Sequence, residues 1–308
     1  MLESRGCINA KAILQEASIS KQTFEKAYDD FINSKNEQNR DQVHAAKQEL
    51  EEKISALREV VSSVKMERAI EILGGENVHG PEDVALLLGF VPKNVPLIPY
   101  TAADLEKCNE IKKKTGLEEM LVLFVNDRDG NPLTGETLNT LIQKKYEEMG
   151  AGRFLCDVSW YKDEEFYKGL GLTVEWKLMT KACLPDSYSK RHHFERGDTY
   201  KHEDTQEYAI ERFADKVDIP CDELKRPEPF AMIYAIALHL VVTEKLKGEG
   251  KGERLLETKY HWSDVKVSGG LLVFVGGAAR DGANVGGSSR VRVSDYIGVC
   301  LSRGAFLT

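Results

Sequence analysis

Residues 267–308 read VSGGLLVFVGGAARDGANVGGSSRVRVSDYIGVCLSRGAFLT, without one Lys, Glu, Gln, Met, Trp or Pro, although the whole chain is 30% charged. A surface kept only for solubility carries Lys and Glu, and a core strand carries fewer glycines than this. The composition predicts a glycine-turned β platform that displays short side chains. It makes the C-terminus the candidate functional region.

Immediately upstream, Arg226 to Lys247 is the most apolar helical stretch. Pro227 and Pro229 open it, Gly248 closes it, and Ile233, Ile236, Ala237 and Leu240 recur at core spacing, so a central buried helix is expected. Its longest apolar run, Pro229 to Val242, is interrupted by His239 and reads as too short to span a bilayer. Further back, Met120 to Val125, Phe154 to Ser159 and Val174 to Ala182 read as strands. Thr134 to Met149 reads as a helix, and Glu203 to Val217 as an exposed one. The order strand, helix, strand, strand, then helix and short strands, is an α+β pattern.

From about Ile8 to Leu73 the chain reads as helix. Val43, Leu50, Leu57 and Val64 recur every seven residues, with Ile54 and Val61 four residues after Leu50 and Leu57. Such a stripe fits an αα-hairpin within the chain or a coiled coil between chains. The expected organisation is a helical hairpin or coiled-coil region over 1–75, a small α/β segment over 76–150, and a C-terminal domain over 151–308.

At 308 residues the chain is long enough for a sizeable core, and its formal charge of -8 argues against a nucleic-acid track or an anionic membrane as main partner. No secretory signal is read at MLESRGCINAKAIL, so the default expectation is a soluble cytoplasmic protein without membrane insertion. The six cysteines are scattered singly, which predicts buried reduced thiols. His192, His193 and His202 lie near Glu195, Asp198, Glu203 and Asp204, but lack zinc-ligand spacing and read as a polar loop. NDRDGNP at 126–132 lacks the later ligands of a calcium loop and reads as a tight turn. Gly276, Gly277, Gly282, Gly286 and Gly287 match neither phosphate-binding fingerprint. Neither metal nor cofactor is expected.

Several blocks then carry a resemblance. GPEDVALLLGF at 80–90, IPY at 98–100, LVLFVNDRDGNPLTGETLNTLI at 121–142, WYKDEEFY at 160–167 and VEWKLMTKACLPDS at 174–187 belong to it. So do RPEPFAMIYAIALHL at 226–240, the long block at 253–287 and SDYIGVCLSR at 294–303. Over about 66–303 the chain resembles the variable proteins of diversity-generating retroelements, of the archaeal (nanoarchaeal) kind. The resemblance implies a C-terminal C-type lectin fold, formylglycine-generating-enzyme-like, preceded by a helical N-terminal region. In that family, reverse transcription that miscopies adenines diversifies a displayed face, and miscopied AAC or AAT codons never yield Lys, Glu, Gln, Met or Trp. The depletion in 267–308 is what this process leaves.

The implied function is a non-enzymatic binding protein whose hypervariable face meets an unknown ligand, a protein or cell-surface molecule. The expected face comprises Asp264, Val265, Phe274, Ala278, Ala279, Asn284, Gly286, Gly287, Ser288, Val291, Val293, Asp295 and Tyr296. Trp262 and Lys266 are expected as scaffold, with Leu272, Val275, Ile297 and Val299 nearer the core. The chain has no EPN or WND motif, so the resemblance does not imply sugar binding. The rivals are a formylglycine-generating-type enzyme, which needs a redox thiol or metal pocket, and an invariant relative serving oligomerisation. A monomer and a helix-mediated dimer both remain open.

Overall fold

A computed structural model describes residues 2–34, 36–169, 171–185, 188, 202–288 and 296–304, with side chains from 12 onward and, in the helix that starts at His202, from 206 onward. The chain divides into two units, Met1–Arg68 and Ala69–Thr308.

The first unit is an antiparallel pair of long helices, α1 (Leu2–Ser34) and the greater part of α2 (Glu37–Leu73). The reversal is held by Asn36, whose side chain accepts the Asn39 N–H at 2.8 Å, and by Asn39, which donates to the Asp30 carbonyl at 3.2 Å. Ser20 donates to Glu49 at 3.0 Å and Lys53 pairs with Glu16 at 2.7 Å, which sets the register. Val43, Leu50, Leu57 and Val64 are half-buried; of the residues three positions on, Lys53 and Val60 are half-buried and Ala46 is buried, while Ile54 is 39% exposed. The stripe thus steps by three and four, as a hairpin seam does. Among the described residues of this unit only Ala17, Ser20 and Ala46 are buried, so the seam is shallow.

The second unit is mixed α+β. After α2 come β1 (Val78–His79), α3 (Pro81–Leu88), α4 (Ala102–Thr115), β2 (Glu119–Phe124), α5 (Gly135–Glu148), α6 (Glu165–Lys168) and β3 (Glu175–Thr180). Then follow α7 (His202–Val217), β4 (Leu224–Lys225), α8 (Pro229–Lys247), β5 (Tyr260–Lys266), β6 (Leu272–Ala279), β7 (Gly282–Ser288), β8 (Ile297–Gly298) and β9 (Ser302–Arg303). One sheet has the order β1-β2-β3-β9-β4, the other β7-β6-β5-β8. The first sheet joins strands from 76–150 to strands from 151–308, so the structure draws no boundary at 150.

Helix α8 is the core of this unit, buried from Pro229 to Thr243 and packed on α3, α5, β1 and β6. At 19 residues it is long and apolar enough to cross a membrane by composition, contrary to the sequence reading, but 83% of its apolar window is buried within the protein. Its Tyr234 hydroxyl donates to the Leu123 carbonyl at 3.1 Å, tying it to β2. Helix α7, expected as exposed, instead buries Ile210, Phe213, Ala214 and Val217 in a cluster with Ile111, Leu184 and Leu301. The segment 154–159 is not a strand; only Leu155 forms a bridge, to Ala283. The turn at NDRDGNP is built by the Asp127 carboxylate, which accepts the N–H of Asp129 at 2.9 Å and of Asn131 at 2.7 Å. Those bonds hold its carboxyl below the usual range.

The C-terminal strand is fastened by Arg303. This fully buried guanidinium donates to Glu119 through Nε at 2.9 Å and Nη2 at 3.1 Å, and also to the Asp104 carbonyl at 3.1 Å. Tyr100 adds a hydrogen bond to the Arg303 carbonyl at 2.7 Å. The second sheet's end of the chain therefore returns into the first sheet through a satisfied ion pair.

Candidate ligand-binding face of the C-terminal sheet

The register of the second sheet sets Trp262 opposite Phe274 and Tyr260 opposite Gly276 on β5 and β6, and Gly286 opposite Phe274, Asn284 opposite Gly276 and Ser288 opposite Leu272 on β6 and β7. Residues opposite one another share a side, so Tyr260, Trp262, Phe274, Asn284, Gly286 and Ser288 lie on one face. Phe274 is its centre. Its ring meets Tyr260 at 5.4 Å and 90°, and Trp262 at 5.6 Å and 75°, the edge-to-face geometry that aromatic quadrupoles favour. Gly286 is required beneath this ring, because a methyl group there would collide with the far edge of Phe274. Trp262 is completely buried, whereas Tyr260, Phe274, Asn284 and Ser288 are partly open.

The opposite side of β5 is locked by a histidine. His261 Nδ1 accepts the Cys300 N–H at 3.0 Å, which leaves Nε2–H to donate to the Pro227 carbonyl at 3.0 Å. That tautomer has no room for a second proton, and burial lowers its pKa to about 4. Ser263 donates to the Val273 carbonyl at 2.9 Å on the same side. The platform is thereby held from below at three elements.

Of the face residues expected from sequence, the structure gathers Phe274, Asn284, Gly286 and Ser288 around the aromatic centre. Tyr296 is 64% exposed, and its carbonyl accepts the Tyr260 N–H at 2.7 Å, so it borders the same strand. Asp264 and Val265 fall in a bulge of β5 between Trp262 and Lys266; Asp264 points to solvent and pairs with Arg226. Ala279 is half-buried at the hairpin end, where its carbonyl accepts from Arg254 at 3.1 Å. Two expectations need correction. Ala278 is buried, 3% exposed, with its N–H on the Leu256 carbonyl, because the hairpin end tucks under the 254–256 segment. Gly287 lies on the other side of β7, near Trp160, because side chains alternate along a strand. Val291, Val293 and Asp295 lie outside the described residues, as do His192, His193, Glu195 and Asp198.

Leu272, Val275 and Val299 are buried as expected, and Ile297 is half-buried. Leu272 and Val275 sit on opposite sides of β6, which is covered on both. Sequence reasoning left Tyr260 off the face. Its place two residues before Trp262 in YHW was the readable signal, since a period of two puts both rings on one side.

Chemically, three interlocked rings with an amide and a hydroxyl at the rim offer apolar stacking area and a few adaptable hydrogen bonds. Neither a protein-family model, nor a curated protein, nor a solved structure matches the chain.

Proposed function

We propose that this chain is a ligand-binding protein with a C-type lectin fold, formylglycine-generating-enzyme-like, whose C-terminal face is diversified by adenine-directed mutagenesis from a retroelement. The observation that carries this reading is the absence of Lys, Glu, Gln, Met and Trp from all 42 residues of 267–308. The aromatic centre at Phe274 supports it as a rigid floor on which rim residues can change without loss of the core. The ligand is a protein or cell-surface molecule, contacted chiefly around Phe274, Asn284, Ser288 and Tyr296. Gly286 and Ala278 stay fixed in this scheme, because one lies under a ring and the other is packed.

Sequencing the last fifty or so codons of this gene from many cells of one population tests the proposal. Variation concentrated at adenine-bearing codons for the rim, with codons for Trp262, Gly286 and Ala278 constant, is the expected outcome. A uniform tail would overturn it. One feature favours the rival redox enzyme: Cys183 and Cys300 stand with sulfurs 3.7 Å apart. Against catalysis on a bound substrate, Cys300 is fully enclosed and burial pushes its thiol well above the ordinary value, so it stays protonated and reaches no partner but its neighbour Cys183.

A further inference from the structure

The six cysteines look unrelated in sequence, yet the fold brings two of them together across 117 residues. Cys183 follows β3, and Cys300 lies between β8 and β9. Their sulfurs are 3.7 Å apart, a separation from which a small side-chain rotation reaches bonding distance. The approach depends on Gly298, where an added Cβ would come 2.7 Å from the Cys183 Cβ and 3.2 Å from its sulfur. The Leu184 N–H donates to the Val299 carbonyl at 2.8 Å, so the two backbones are already aligned beside the pair. The thiols also differ in access. Cys183 is half-buried and lines a cavity of about 380 Å³ with Leu184, Arg254, Leu256, Lys259 and Gly298, whereas Cys300 is completely enclosed.

We propose that Cys183 and Cys300 form a reversible disulfide, a modification site that staples the C-terminal strands to the exit of β3. A peroxide entering the cavity is the oxidant. The Cys183 sulfur attacks one peroxide oxygen, the O–O bond breaks, and one water leaves with formation of a sulfenic acid. The Cys300 sulfur then attacks the Cys183 sulfur, the S–O bond breaks, and the departing hydroxyl takes the Cys300 proton as a second water. Two thiols are oxidised and one peroxide is reduced to two waters. A dithiol reductant reverses the step by exchange through Cys183.

The test uses the full-length chain carrying Cys221→Ser, which removes the thiol that is exposed among the described residues and would couple between molecules. After treatment with a few equivalents of hydrogen peroxide and alkylation under denaturing conditions, non-reducing peptide mapping should find the peptides of Cys183 and Cys300 joined, two mass units lighter than their sum. The oxidised form should melt roughly 10 °C or more above the reduced form, as expected for a crosslink closing so long a loop. Dithiothreitol should restore both readings. Recovery of Cys183 as sulfinic acid or of both cysteines fully alkylated after oxidation would overturn the proposal, as would a disulfide to any other cysteine. Gly298→Val, which pushes Cys183 away, should suppress the crosslink in protein that keeps its native circular dichroism; an undiminished yield would count against the geometry. These readouts do not depend on whether the sheet face binds a ligand.

Discussion

Gly286 and Asn284 sit two residues apart on β7 and face the same way, yet physical chemistry separates them. Gly286→Ala must displace the Phe274 ring from its place between Tyr260 and Trp262, and should cost about 1–3 kcal/mol of overpacking. Replacing Asn284 and Ser288 together should shift the melting temperature by only a few degrees, since partly open substitutions stay within about 0.5 kcal/mol each. Differential scanning calorimetry checks the pair; equal costs at the two kinds of position would show that the rim is as constrained as the floor. Trp262→Ala should be the worst of the set, at roughly 3 kcal/mol or more, because it empties a fully buried indole site against Phe274. An unchanged urea midpoint for that variant would contradict the packing. At this scale the sequence was legible where residue type implied burial, as for Trp262, and misleading at Ala278, whose small side chain suits a displayed rim and a tight hairpin end equally well.

At the scale of elements, periodicity carried the reading and edges limited it. Helices α5 and α8 and strands β2 and β3 were legible because apolar spacing agrees with start signals such as the N-cap Thr134 and the first-turn Pro229. Strand 154–159 was not, since Phe154 and Leu155 are buried by packing without a ladder to sit in. The exposed reading of α7 failed for a related reason: its polar residues outnumber a narrow apolar stripe, and the cluster with Leu184 and Leu301 that covers it comes from distant chain. In the N-terminal unit, a spacing of seven was visible but not its partner. Here the Ser20–Glu49 and Glu16–Lys53 contacts place the seam within the hairpin. Leu57→Asp should therefore melt this unit selectively, losing helical circular dichroism while the signal from Ala69 onward persists, because an unpaired carboxylate would have to be desolvated at the seam. Sedimentation decides the matter: a wild-type monomer is expected, and a wild-type dimer that the mutation turns into a folded monomer would place the seam between chains.

For the molecule as a whole, the buried histidines set a pH limit that no composition figure reveals. His79, His239 and His261 are each 0% exposed. His79 Nε2 lies 3.1 Å from His239 Nδ1, and His239 Nε2 lies 3.5 Å from Glu253, with Lys181 and Lys247 also acting on it. Burial, reinforced by His239 and Lys181, lowers the pKa of His79 well below the ordinary value, and burial lowers those of His239 and His261 to about 4. The unfolded chain takes up these protons near pH 6.5, the folded protein only far lower. Protonation thus favours unfolding: the contribution is fully present above about pH 6.5 and is lost as pH falls toward 4. Each histidine costs about 1.4 kcal/mol per pH unit in that window, so three cost roughly 4 kcal/mol by pH 5.5. Against a typical total of about 5–15 kcal/mol this is a large share, and it falls before carboxylates such as Glu118 and Glu253, held below their ordinary range, begin to protonate. Urea denaturation at pH 7.5 and 5.5 should show a midpoint that drops steeply, with reversible recovery on return to pH 7.5. His261→Gln should reduce the pH-dependent loss by about a third, because one of three titrating groups is gone. A midpoint that stays level between the two pH values would mean that the histidines are hydrated or already charged in the folded protein, and the neutral His261 bridge between Cys300 and Pro227 would have to be abandoned.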